Sequence, residues 1–154
     1  MRILFTIFIA VIAFAAGVWY MGGFESVPAT QPTTTPIPAA PSAIYDNADA
    51  DMIQITSPLP GATLPTTFTL AGKARGGWYF EASFPYQVLD ANGMKIAEGP
   101  VQATGDWMTP EFVPFTLKIS IPNYKGKATL ILKNDNPSGL PENDASVSIP
   151  IVIQ

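Results

Sequence analysis

The 154 residues contain no cysteine and no histidine. The missing thiols exclude a lipid-modified N-terminal cysteine and thiolate catalysis, and the two absences together exclude zinc sites built on sulfur or imidazole. Neither absence counts against a stable fold, because a domain of about 100 residues buries enough surface to do without staples. Charge is also scarce. Only 13% of residues are Asp, Glu, Lys or Arg, about half the ~25% usual for soluble domains, so part of the chain is expected to lie outside water. From Met52 onward seven Lys or Arg face eight Asp or Glu, which leaves that part nearly neutral and without a basic run. Displacing counterions from phosphates needs clustered cations, so a nucleic-acid partner is excluded.

Apolar residues and proline are plentiful, and both are localised. Ile3 to Phe24 carries no charged side chain over 22 positions. As a helix this stretch is ~33 Å long, enough to cross a ~30 Å hydrocarbon core. Residues 1–24 are therefore expected to be a transmembrane signal anchor, with the lipid bilayer as partner of residues 3–24. Arg2 lies on one side, and the next basic residue is Lys73. The positive-inside bias then puts the N-terminus in the cytoplasm and the rest outside the membrane. Ala13-Phe14-Ala15 also offers a small-x-small cleavage pattern, which would make the product secreted. Residues 25–51 set Pro28, Pro32, Pro36, Pro38 and Pro41 among Thr, Ala and Ser, the composition of a semi-rigid stalk with a reach of up to ~80 Å at ~3.1 Å per residue.

The period changes to two from Met52. Ile53 and Ile55, Phe68 and Leu70, Phe115 to Ile121, Leu130 and Leu132, and Val147 to Ile153 alternate with polar neighbours. Phe80, Ala82, Phe84, Tyr86 and Val88 form one more apolar face. Asp90-Ala91-Asn92-Gly93 is a hairpin turn in which Asn and Gly supply positive φ, and Pro150 indicates an edge position in the last strand. About seven strands in ~100 residues, with turns every 8–12, predict an all-β sandwich of two sheets over residues 52–154.

Four blocks of sequence carry a family resemblance: ITSPLPGATL at 55–64, LAGKARGGWYFEASFPYQVLDANGMKIAEG at 70–99, WMTPEFVPF at 107–115 and KNDNPSGLPENDASVSIPI at 133–151. Together they make the segment from Ile53 to Ile153 similar to the immunoglobulin-like domain of bacterial spore germination and sporulation proteins. The resemblance implies an antiparallel, immunoglobulin-like β-sandwich at the cell surface or in the periplasm. It also implies a place in germination or sporulation. Relatives often carry a second germination-associated domain or a lipoprotein cysteine, and this sequence has neither.

Catalytic machinery is hard to assemble from these residues. Nucleophilic catalysis would need a Ser–Lys or Thr arrangement, and no serine sits in a strand-to-helix elbow. A hydrolase built on paired acids would draw on Glu81 and seven further carboxylates that lie in or beside turns. The sequence accordingly assigns no catalytic residue, no metal ligand and no cofactor. Two groups remain as a candidate binding surface for an envelope protein or glycan. Trp78 and Tyr79, which follow the flexible pair Gly76-Gly77, and Trp107 and Met108 are large side chains that either line a surface or cap the core. Asp135, Asn136, Glu142 and Asp144 lie in the loop 134–144, whose oxygens suit calcium but whose Pro137 and Gly139 suit an ordinary turn. The expected function is a noncatalytic binding or scaffolding module. Its rivals are a spacer with no ligand and an acid-based envelope hydrolase.

Overall fold

The computed structural model describes residues 39–154. The expected membrane segment and most of the proline-rich stretch lie outside these residues. Among the described residues no helix is long and apolar enough to cross a membrane.

The described residues form nine strands: β1 (Ile44–Asp46), β2 (Ile53–Ser57), β3 (Thr63–Leu64), β4 (Thr67–Arg75), β5 (Ser83–Asp90), β6 (Lys95–Gln102), β7 (Phe112–Ser120), β8 (Gly126–Lys133) and β9 (Ser146–Ile153). One sheet runs β1-β9-β8-β5-β6, with β3 also paired to β9, and the other runs β2-β4-β7. All pairings are antiparallel except β3 with β9. The chain changes sheets after β6, where Ala103 pairs with Phe115 of β7. This is the two-sheet layout of an immunoglobulin-like sandwich, and its seven longer strands are the seven that alternation predicts.

The core is the inward half of that alternation. Ile53, Phe68, Leu70, Val113, Phe115 and Ile119 come from one sheet, and Phe84, Val88, Val101, Leu130, Leu132 and the Val147–Ile153 series come from the other. Phe84 sits at the centre of the aromatic packing, with its ring centroid 5.1 Å from Phe115 and 5.2 Å from Tyr79. The β5–β6 turn forms as expected, and Gly93 alone supplies positive φ, at +81°. Asp90 is buried there, and its carboxylate accepts the amides of Asn92 and Met94 at 2.8 Å.

Two short strands were not visible in the sequence, and both protect β9. β1 comes from the part of the chain whose composition reads as stalk, and it pairs Ile44 with Ser148 and Asp46 with Ser146. β3 pairs Thr63 with Val152 further along the same edge. Pro150 falls in the gap between them. Its carbonyl accepts Gly61 N at 2.7 Å, so the side on which it lacks an N–H is the outer edge and no ladder bond is lost. At the opposite edge Pro100 of β6 stands across from Pro85. Neither can donate, so this is a non-hydrogen-bonded pair and the nitrogen of Pro100 faces the open edge. That placement blocks addition of a further strand.

Candidate functional site

Register decides which loops meet. Arg75 lies across from Phe112, Ser83 from Gln102 and Lys133 from Ser146. The β4–β5, β6–β7 and β8–β9 connections therefore leave from one end of the sandwich, and the β1–β2 connection joins them there. All eight residues selected from sequence belong to three of these loops. The loops are tied to one another: Gly76 N donates to Glu111 O at 3.3 Å and Asp135 N to Trp78 O at 3.0 Å. Asn47 Nδ2 donates to the carbonyls of Glu142 and Asp144 at 3.1 and 2.9 Å. Gly76 is required for the first of these contacts, since a Cβ there would stand 1.9 Å from Thr109 O and 2.3 Å from Trp107 O.

The aromatic residues divide between the core and the surface. Trp78 and Tyr79 are each only 3% exposed and pack on Phe84 beneath the loops. They cap the core and do not line an open surface. The Tyr79 hydroxyl donates to Val113 O at 2.8 Å, and burial pushes its pKa up to about 12. The Trp78 indole N–H is buried with no acceptor among the described residues. Trp107 is half-buried, while Met108 is 77% exposed. Phe80, expected in the core series, is 40% exposed. Glu81 and Ala82 take φ of 49° and 62°, and Phe80 and Ser83 exchange backbone hydrogen bonds of 3.0 and 3.1 Å across them. This two-residue reversal breaks the alternation before β5 begins. It turns Phe80 outward while Trp78 and Tyr79 go in.

The 134–144 loop is held by its own side chains. Asn136 Nδ2 donates to Leu140 O and to the Asp144 carboxylate, both at 2.8 Å, and Asn134 donates to Asn143 O at 2.9 Å. Ala145 N donates to Asn134 Oδ1 at 2.8 Å, and Asn143 Nδ2 to Ser138 Oγ at 3.0 Å. An amide donor aimed at Asp144 is the opposite of what a cation would require. Among the described residues no three carboxylates are grouped to hold a metal ion. The loop uses Asn, Asp, Ser and Gly as turns ordinarily do.

What the loops present outward is acidic and apolar together. Nine of the eleven carboxylates in residues 39–154 lie in or beside the four loops. The β1–β2 segment contributes Asp46, Asp49 and Asp51, and β4–β5 contributes Glu81. The β6–β7 loop adds Asp106 and Glu111, and β8–β9 adds Asp135, Glu142 and Asp144. Each of the four loops also exposes one large apolar side chain: Met52, Phe80, Met108 and Leu140. Sequence reasoning missed Met52 and Leu140, because isolated apolar residues in turns carry no periodic signal, and Phe80, because it reads as part of the periodic face of β5. Arg75 is the main cation at this end. It stacks on Phe112 at 4.2 Å, donates to Asp51 O and Pro110 O, and pairs with Glu111 at 3.7 Å. Between the loops lies an open recess of about 380 Å³, lined by Asn47, Met52, Arg75, Trp78 and the 142–145 segment.

Comparison with curated proteins finds no match. The family model for the immunoglobulin-like domain of bacterial spore germination, Gmad2, matches residues 52–139. The matched span opens at the start of β2 and closes inside the β8–β9 loop, so it takes in three of the four loops' apolar tips, and an immunoglobulin-like domain is a noncatalytic type of fold. On that match the chain belongs to the Gmad2 family of immunoglobulin-like domains of bacterial spore germination.

Proposed function

We propose that this protein is a membrane-tethered, extracytoplasmic module of the bacterial cell envelope, related to germination or sporulation, which binds or scaffolds other envelope components through the loop end of its sandwich. The observation that carries this reading is the convergence of four loops with an exposed apolar tip on each. Exposed apolar groups gathered at one place are characteristic of interaction surfaces. The point where the chain enters supports it too. Pro41 packs beside Gly61 and Pro150, and β1 then runs toward the loop end, antiparallel to β9. The described chain thus enters the domain at the end opposite the loops.

The test is a photo-crosslinking amino acid placed in the full-length chain, in intact cells, at Met108 or at Thr116 on the outer face of β7. Crosslinks to a discrete partner from position 108 and none from 116 support the reading; equal or absent crosslinking at both sinks it. The second outcome is the one a plain spacer predicts, and the burial of Trp78 and Tyr79 favours that alternative because it removes the aromatic patch. The tether has its own test. External protease should release the domain while residues 1–24 stay with the membrane, and a mature protein starting at Ala16 would show a cleaved leader instead.

A further inference from the structure

The two ends of the sandwich differ in charge in a way that the total over the described residues, seven Lys or Arg against eleven Asp or Glu, conceals. Nine carboxylates at the loop end face only Lys73, Arg75 and Lys133, whereas the other end holds Lys95, Lys118, Lys125 and Lys127 against Asp90 and Glu98. Lys95 and Glu98 are paired with each other at 2.6 Å, and Asp90 is buried in its own turn. Lys118, Lys125 and Lys127 are therefore left as outward cations of the base. That base also exposes two large apolar side chains, Leu59 in the β2–β3 connection and Met94 in the β5–β6 turn. Each end thus combines apolar tips with charge, and the signs are opposite.

We infer that the partner of the loop end is a second copy of this chain, docked by its base, so that copies stack head to tail. The inference rests on the loop end being the binding surface. Complementary charge steers such an encounter and fixes its polarity, and the apolar tips on both faces supply the area that leaves water. Lateral association by sheet extension is closed off at both edges of the larger sheet, by Pro100 on one side and by β1 and β3 on the other. The smaller sheet has its own edges, β2 and β7, so it is the opposite charge of the two ends that favours an end-to-end contact. It is heterologous, since different patches meet, and such contacts propagate into rings or open rows instead of closing as a pair. The segment between residues 25 and 43 is long enough for two tethered copies to do this. Its reach is roughly 60 Å at ~3.1 Å per residue, against a nine-residue strand of about 30 Å.

The test uses the full-length chain in detergent micelles, with isotopically light and heavy copies mixed and carboxylates coupled to amines by a zero-length carbodiimide crosslinker. Light-to-heavy crosslinks should join loop-end acids to Lys118, Lys125 or Lys127, and they should fall roughly tenfold as salt rises from about 50 to about 500 mM. The loop variant Glu81→Lys/Glu142→Lys and the base variant Lys118→Glu/Lys125→Glu change exposed side chains, and each alone should lose the crosslinks. Mixed together in equal amounts, they should recover a one-to-one pair, because each keeps the end that the other lacks. Crosslinks only between loop ends, or no recovery on mixing, would overturn head-to-tail stacking, as would a chain that stays monomeric at every salt concentration. The crosslinker at Met108 separates the two readings: a monomeric chain that crosslinks there to a different protein rejects self-stacking yet keeps the loop end as a binding surface.

Discussion

At the base, β5 and β6 are joined by four residues and β7 and β8 by five, whereas the β4–β5, β6–β7 and β8–β9 connections take seven, nine and twelve. Tight turns suffice to close a sandwich, and at the base they do little else. Gly93 supplies the reversal of one turn, and the hydroxyl of Tyr124 joins the two turns by accepting Ala91 N and donating to Lys127 O. The longer loops contain more chain than closure requires. Their inner residues, Trp78 and Tyr79, extend the core, while their outer ones are acids and single apolar tips. The same segment serves stability from beneath and presents acids and apolar tips above, and the two layers can be perturbed separately.

The largest effect should come from the layer beneath. Phe84→Ala removes the ring on which Trp78, Tyr79 and Phe115 pack and should destabilise the fold by about 3–5 kcal/mol in chemical denaturation. Leu140→Ala at an exposed tip should change it by less than about 0.5 kcal/mol. If both cost the same, the division into layers fails. Next comes Gly76→Ala, whose new methyl meets the backbone of Thr109 and Trp107; a loss of about 1–3 kcal/mol is expected. Gly77→Ala meets nothing within 4 Å and should be neutral or stabilising by about 0.4–1 kcal/mol. Glu81-Ala82 replaced by Asn-Gly keeps the positive φ of that turn with residues that adopt it readily, and should add about 1 kcal/mol of stability.

Smaller still, and confined to alkaline solution, is the contribution of Tyr79. Its pKa in the folded chain, about 12, lies above the ordinary 10.0. The folded protein therefore keeps a proton that the unfolded chain gives up. The stability linked to this group is complete below pH 10 and is lost as pH rises through 12. Tyr79→Phe should flatten the alkaline part of the stability curve, leaving the portion due to Tyr86, whose pKa burial also raises. The smallest expected effect is that of calcium. A site in the 134–144 loop saturated at ~100 times its Kd would add ~2.7 kcal/mol, and at 4–8 °C per kcal/mol for ~100 residues the melting temperature would climb by more than ~10 °C. With the Asn136 amide donating to Asp144, no difference between calcium and chelator is expected.

The sandwich was legible because its strands alternate cleanly. Ile149, Ile151 and Ile153 cannot face water together, and nothing but a second sheet covers them. The hairpin at Asp90–Gly93 was legible for a similar local reason, whereas Pro150 reads as an edge residue and β9 lies between β8 and the short strands β1 and β3, with the proline in the gap between those two. The exposure of Phe80 was not legible, since no Gly, Asn or Asp marks the reversal at Glu81-Ala82 and the apolar face reads as unbroken from Phe80 to Val88. Nor was β1, because Ile44-Tyr45-Asp46 sits in a stretch rich in proline and alanine and acquires its pairing from Ser146–Ser148, a hundred residues later. The charge asymmetry was hidden for a different reason: the acids are scattered along the sequence and only the register of β4 through β9 gathers them at one end. The eight residues chosen from sequence share that end, but two of them support it from below.

The short ladder between β1 and β9 has a mechanical consequence. The chain approaches β1 from the base, and the two strands are antiparallel, so tension on the residues ahead of Ile44 acts along the strand axis. The ladder is then loaded in shear, with its bonds strained together instead of one after another, and the two amide bonds of Asn47 to the 142–144 segment reinforce its far end. Should that clasp slip, residues 44–52 can straighten to a contour of about 30 Å at ~3.3–3.6 Å per residue, and the chain lengthens by that contour less the distance the segment already spans. Ile53, the first wholly buried residue of β2, still marks the boundary of the core. The domain thus carries a measured length of slack, drawn out under force before the sandwich itself bears the load.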